Sequence, residues 1–351
     1  MAGEGEAGLA LLYDEIFLDH ESPGHPESPD RLRAIVSGLR AEPLIPPASW
    51  RSARRADPDD LLLVHLPRHV DRIQALSLEG GGWIDPDTYC TPFSFDIALD
   101  AVGASLAAAE LACGPDPTPS LALVRPPGHH ATPDRAMGFC LFNNLALAAR
   151  HAQRRLGVER VAILDLDVHH GNGTQAVFWN DPDVLYASVH EWPLFPWSGA
   201  AREVGGPAAM GRTLNVPLPP GATGDVARRA IEELIAPAAE KFGPTWVLVS
   251  AGFDAHRADP LADLAWSSGD FAAIARTVAE LVPGRGRLVL FLEGGYDLSA
   301  LRASVTATLG ALTQDRFRAS EEETSGGPGM EDVTAAGSQR DRALEGGGEP
   351  A

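Results

Sequence analysis

The chain has 351 residues, 44% of them apolar, and a formal net charge of −20. That apolar share can fill one large core, and α/β folds commonly reach this length as a single domain. The acidic balance argues against nucleic acid as a ligand, since neutralising phosphates needs a basic surface. No stretch approaches the roughly 20 apolar residues that span a bilayer, so no membrane partner is expected.

The N-terminus shows no charged region followed by a long apolar run, so no secretory leader is expected. Along the chain, helical stretches over Ala98–Ala112, Asn144–Leu156, Asp225–Lys241 and Asp270–Leu281 alternate with short apolar runs. This alternation predicts a parallel sheet covered by helices. The first run, Leu121–Val124, leads into Arg125-Pro-Pro-Gly-His-His-Ala131. Adjacent histidines on an irregular loop can present two imidazoles to one cavity, and imidazole is the usual general acid–base. The second run opens the most informative segment, Val161-Ala-Ile-Leu-Asp-Leu-Asp-Val-His-His-Gly-Asn-Gly173. If the strand continues, alternation points Asp165, Asp167 and His169 to one side, a donor set suited to zinc. A strand simply ending in solvated polar residues explains one carboxylate cheaply, but not this cluster.

Two more runs complete the pattern. Trp246–Ser250 leads into Ala251-Gly-Phe-Asp-Ala-His256, and Leu288–Leu292 into Glu293-Gly-Gly-Tyr-Asp297. Ligand sites of open α/β sheets form at the carboxyl ends of strands, where these four runs deliver a histidine pair, an acidic cluster, a carboxylate and a tyrosine. From Arg318 onward Glu, Gly, Ser and Pro dominate. The expected division is a catalytic domain over 1–317 and a disordered acidic, Gly/Ser-rich tail over 318–351. Cys90, Cys113 and Cys140 form no paired framework, which fits a reducing cytoplasm.

Taken in order, these motifs resemble the zinc-dependent histone deacetylase family, within the arginase–deacetylase fold group. The resemblance runs from about Leu9 to about Leu312. It rests on His25-Pro-Glu-Ser-Pro-Asp-Arg31, Asp85-Pro-Asp-Thr88, Arg125 to Ala131, Gly138-Phe-Cys-Leu-Phe-Asn143, Asp165 to Gly173, Gly252 to Asp254 and Glu293 to Tyr296. Asn172, Gly-Asn-Gly-Thr-Gln175 and Ser250-Ala-Gly-Phe-Asp254 are similar to the class II branch, including bacterial histone deacetylase-like amidohydrolases.

The resemblance implies a three-layer αβα domain with a mainly parallel sheet, hydrolysing the acetyl amide of N-acetyl-lysine in proteins or peptides. It also implies zinc ligands Asp167, His169 and Asp254, with ferrous iron as the alternative metal. The pairs His129–Asp165 and His130–Asn172 are implied, with His130 as general base and later acid, and Tyr296 as donor to the oxyanion. Structural potassium is implied beside the zinc through Asp165, Asp167, His169, Ser188 and Val189, with an outer ion near Phe178, Asp181 and Val184. Phe139 and Phe195 would flank the acyl-lysine chain, with Gly138 and Gly294 beside the pocket and Asp87 gripping substrate amides at the rim. Taken singly, each phenylalanine reads as core and Asp87 as a turn former. Leu261 stands where the polyamine-specific branch carries Glu, which tilts away from a second cationic amine.

Three rivals remain: an acetylpolyamine or other small acetylated-amine amidohydrolase, a two-metal arginase-type enzyme, and a non-enzymatic acetyl-lysine binding module. Asp254-Ala-His256 lacks the second carboxylate of a two-metal site, and the intact triad, histidine pair and Tyr296 speak against a mere binder. His256 has no assigned place, and the oligomeric state is not legible.

Overall fold

The computed structural model describes residues 8–346 except 22, 42–45, 47–48, 53 and 285. The ends of the two expected segments, 1–7 and 347–351, lie outside the described residues. The central sheet has eight strands: β1 (Ala10–Leu12), β2 (Trp50–Arg51), β5 (Ser120–Ala122), β6 (Val161–Asp165), β7 (Val184–Glu191), β8 (Thr213–Leu218), β9 (Trp246–Ala251) and β10 (Leu288–Leu292). All pair in parallel, in the order β2-β1-β5-β10-β9-β6-β7-β8. The short antiparallel pair β3 (Gly82–Trp83) and β4 (Tyr89–Cys90) stands apart.

Strands β5, β6, β9 and β10 are buried throughout, as a sheet covered on both faces requires. The helices pack in groups: α3 (Ser94–Cys113) against α4 (Asn144–Arg155), and α1 (Pro29–Ala41) and α8 (Ser268–Glu280) against α9 (Leu298–Thr313). This is the three-layer arrangement expected from the sequence. Their starts are set locally. Asn143 caps α4, Ser267 and Asp270 form a capping box on α8, and Asp297 caps α9.

The chain order decides where a site can form. From β6 the chain builds outward through β7 to β8, then returns to insert β9 and β10 between β6 and β5. Hence β5, β10, β9 and β6 lie side by side, and their carboxyl ends bring four separate loops together.

The structure departs from the sequence reading in two elements. The helix expected over Asp225–Lys241 is broken into α6 (Gly224–Ala230), a π-helical turn (Ile231–Ile235) and α7 (Ala236–Phe242). Pro237 has no N–H to offer the preceding turn, and a π turn accommodates that loss. The expected disordered tail is instead ordered over its described part. Helix α10 (Met330–Glu345) buries Val333 and Ala336 and packs on α6 and on β8, covering a sheet edge. Upstream, Thr324 bonds Asp270 through both its backbone N and Oγ1, and Gly224 N donates to Thr324 Oγ1 at 2.8 Å. A few apolar contacts and specific polar ties order a segment whose composition alone suggests none.

No helix among the described residues is long and apolar enough to cross a membrane.

Candidate active site

Strand β6 ends at Asp165, so Asp167 and His169 project from the loop that follows and not from a continued strand. This corrects the simple alternation argument. Asp165 turns to His129, whose Nδ1 lies 3.2 Å from Asp165 Oδ2, and it also accepts from the Tyr186 hydroxyl at 3.3 Å. The group that converges is Asp167, His169 and Asp254, whose donor atoms all lie within 4.8 Å of one another. His169 Nδ1 sits 3.1 Å from Asp167 Oδ1 and 3.3 Å from Asp254 Oδ2.

Backbone amides aim these carboxylates. Gly294 N donates to Asp167 Oδ2 at 2.8 Å, and Val168 N to Asp254 Oδ1 at 2.9 Å. Asp254 Oδ2 is buried and has no hydrogen-bond partner. Gly252 and Gly294 line this cradle closely: a Cβ on Gly252 would collide with Asp167 Oδ2, and one on Gly294 with Asp254 Oδ2. Only glycine leaves room for the carboxylates there.

The electrostatics express a site built for positive charge. Burial and the neighbouring Asp167 push Asp254 up to about 7. Burial opposes a charged His169, but the close carboxylates of Asp167 and Asp254 outweigh it and lift the imidazole to about 10. Two buried carboxylates facing one imidazole are therefore short of a cation.

The histidine pair is differentiated by its partners. Ring centroids of His129 and His130 lie 3.9 Å apart. Burial opposes a charge on His129, yet Asp167, Asp165 and Glu293 hold it well above the usual imidazole value. His130 Nδ1 faces Asn172 Oδ1 at 2.8 Å. Burial, followed by the charges of His129 and His169, pushes His130 well below the usual value, so it is neutral near pH 7.

Tyr296 is fixed by its own backbone N, which donates to Asp259 Oδ2 at 2.7 Å. Burial holds its phenol well above the ordinary value, so the hydroxyl keeps its proton. Its ring lies 5.8 Å from Phe139 and beneath the Arg31 guanidinium at 5.0 Å. Across the site Phe195 meets His130 at 5.1 Å and His169 at 6.3 Å. Gly138, at φ 56°, packs its α-carbon where a Cβ would strike the His130 ring and come within 3.0 Å of Phe195.

The remaining expected residues are placed as follows. Asp87 lies on the turn between β3 and β4, where its carbonyl takes a bond from His25 Nε2 at 2.9 Å and its carboxylate one from the Thr88 hydroxyl at 3.2 Å. Leu261 is half-buried, its N bonded to Asp259 Oδ1 at 3.0 Å. Ser188 is the register partner of Asp165, with its hydroxyl 2.9 Å from His190 Nδ1, and Val189 is buried beside it. His170 stands outside the cluster, bonded to Ser198 and Gln175. His256 also faces away from it, its Nε2 2.8 Å from Glu321 of the C-terminal segment.

Three structural supports carried no role in the sequence reading. Glu27 is buried between Arg125 and Arg31, and Arg125 also donates to the carbonyls of Phe17 and His20 at 2.7 Å. Burial would raise Glu27, but Arg125 and Arg31 outweigh it and hold the carboxyl near 2. Arg31 also donates to the carbonyls of Gly295, at 2.6 Å, and Glu293, tying the first helix to the Tyr296 loop. Tyr186 buttresses Asp165, and Glu293 anchors the histidine loop. A charged residue directly after a buried run, as at Arg125 and Glu293, is the sequence signal that points to such partners.

Fold and site together define a hydrolase of the arginase–deacetylase fold. The model of the histone deacetylase domain matches residues 25–312. The histone deacetylase-like amidohydrolase of Pseudomonas aeruginosa is 44% identical over 310 residues, covering 82% of this chain and 81% of its own. A probable deacetylase of Methanothermobacter thermautotrophicus is 42% identical, covering 95% and 98%, and the chloroplastic histone deacetylase 14 of Arabidopsis thaliana is 39% identical, covering 90% and 79%. The crystal structure of the HDA15 HD domain superposes with a TM-score of 0.89 at 34% identity, covering 98% of each chain. The chain belongs to the histone deacetylase family, and it is an enzyme of the deacetylase and amidohydrolase type.

The family is metal-dependent, and the donors here fit a divalent cation. The buried Asp254 oxygen that accepts no hydrogen bond, the glycine-lined cradle and the facing carboxylates are the features such an ion satisfies.

Proposed function

We propose that this protein is a zinc-dependent deacetylase that hydrolyses the acetyl amide of N-acetyl-lysine in proteins or peptides. The observation that carries this reading is the juxtaposition of the Asp167–His169–Asp254 cluster with a neutral His130 and a protonated Tyr296.

Zinc held by those three side chains supplies Lewis acidity toward the acetyl carbonyl and toward water; ferrous iron suits the same donors. His130, neutral, takes the proton of the attacking water and returns one to the departing amine. His129, held cationic by Asp165, contributes charge and hydrogen bonding. Tyr296 donates its hydroxyl to the developing oxyanion. Phe139 and Phe195 supply apolar walls for a methylene stem, and Asp87 a carboxylate at the rim. Asp165, Ser188 and Val189, with Asp167 and His169, would supply ligands to a structural potassium.

Leu261 supports a protein or peptide substrate over a polyamine, because a second ammonium group finds no acidic partner in that side chain. The formal charge of −20 speaks against nucleic acid partners, and three unpaired cysteines suit the cytoplasm.

The test pairs two variants on an acetyl-lysine peptide. Tyr296→Phe should keep its metal and lose on the order of 100- to 1,000-fold in kcat. Asp254→Asn should lose metal and activity together. A fully active Tyr296→Phe enzyme would refute the assigned role.

A further inference from the structure

Glu293 is a buried carboxylate, 1% exposed, that the chemistry above does not use. It follows β10 directly, and its backbone N bonds Ala251 O at the end of β9 at 3.1 Å. Its Oε2 accepts two backbone N–H groups, from Gly128 at 2.7 Å and from His129 at 3.1 Å. Its Oε1 is buried without a partner. Arg31, the nearby cation, reaches the main-chain carbonyl of Glu293 and not its carboxylate.

The sheet does not make this connection. The β5–β10 ladder closes at Ala122 and Phe291, and Leu123 N then turns to Leu12 O on the opposite neighbour. Beyond that point the chain to His129 and His130 and the chain to Gly294 and Tyr296 share no ladder bonds. The Glu293 side chain spans the gap. Beside the side-chain contacts of His129 with Asp165 and of His130 with Asn172, the other ties to this loop's backbone grip its carbonyls: Thr174 N donates to His129 O at 3.1 Å, and Asn144 Nδ2 to Pro126 O at 3.0 Å. Only Glu293, among the described contacts, takes the N–H groups of Gly128 and His129.

We propose that Glu293 is a positioning residue: its carboxyl oxygen sets the His129–His130 loop in register with the loop that carries Tyr296. Alongside the Arg125–Glu27–Arg31 link between the same two loops, this side chain would thereby help fix the distance between the acid–base group and the oxyanion donor. This inference rests on the deacetylase reading for its kinetic consequence, though not for its structural one.

Three variants separate the acceptor from the charge. Glu293→Ala removes the acceptor, Glu293→Asp withdraws it by one methylene, and Glu293→Gln keeps an oxygen acceptor without charge. On the zinc-loaded protein and an acetyl-lysine peptide, Ala and Asp should lose about 100-fold in kcat with KM little changed, the size of a roughly 1 Å misplacement of a catalytic group. Gln should retain kcat within about 5-fold, because an amide oxygen accepts the same two N–H bonds. In parallel, amide hydrogen exchange at Gly128 and His129 should quicken in Ala and Asp and stay slow in wild type and Gln. A Gln variant as impaired as Ala, or a folded Asp variant with wild-type kcat and slow exchange, overturns the proposal. If Ala does not fold, the Asp and Gln pair decides. A wild type that turns over no acetyl-lysine but shows the predicted exchange pattern would sink the substrate reading and leave the positioning role standing.

Discussion

At the scale of single residues, the difference between His129 and His130 comes from what each Nδ1 meets. His129 faces a carboxylate and His130 an amide, at 3.2 and 2.8 Å. A carboxylate favours the imidazolium; an amide carries no charge and leaves the ring easier to deprotonate. The structure holds His130 below the usual imidazole value, so its neutral form persists into mildly acidic solution. Placing a carboxylate at 172 should raise that value. The mutant Asn172→Asp is therefore expected to move the acidic limb of the kcat/KM profile upward in pH, read on an acetyl-lysine peptide. A limb that stays put contradicts the assignment of His130 as base. Residue spacing told which histidines and carboxylates belong to the site, because each follows an apolar run. Spacing alone could not tell which partner each imidazole meets, since those pairs join residues 36 and 42 apart in sequence; the family resemblance named both pairs, and both are in contact.

At the scale of elements, strands β6, β9 and β10 are legible because continuous apolar runs suit a sheet buried on both faces. The ends of those strands are less so. Alternation along Asp165, Asp167 and His169 suggested three side chains on one face, but β6 stops at Asp165 and a loop delivers the other two. The supports around Glu27 were hidden because Arg31 and Arg125 meet it only after folding. Composition misjudged the C-terminal segment. Averaged over its glycines and glutamates it resembles a solvated tail, yet Val333 is fully buried and Glu321 bonds both His256 and Ser268 N. Burying one such valine contributes about 1.5–3 kcal/mol. A chain ending at Arg318 should therefore be less stable than the full chain by at least about 2 kcal/mol in urea unfolding, with β8 left as an open edge. Unchanged stability would mean that the docked helix contributes nothing to the domain.

At the scale of the whole molecule, the site follows from the order in which strands enter the sheet. Returning β9 and β10 between β5 and β6 places four carboxyl ends in a row, and no single loop holds enough groups for the chemistry alone. The proposed acid–base pair comes from the end of β5, the proposed cation donors from the ends of β6 and β9, and the proposed oxyanion donor from the end of β10. Arg31 and Glu293 then tie those loops to one another. The apolar void lined by Leu166, Phe253, Phe271 and Leu290 lies between the sheet and α8–α9, apart from these polar groups. This assembly is proposed to hydrolyse acetyl-lysine. That activity is tested most directly by kcat/KM of the zinc-loaded protein on an acetyl-lysine peptide, acetylputrescine and acetylspermidine. Preference for the peptide is expected. Preference for the small amines, or turnover of none of the three, would contradict it.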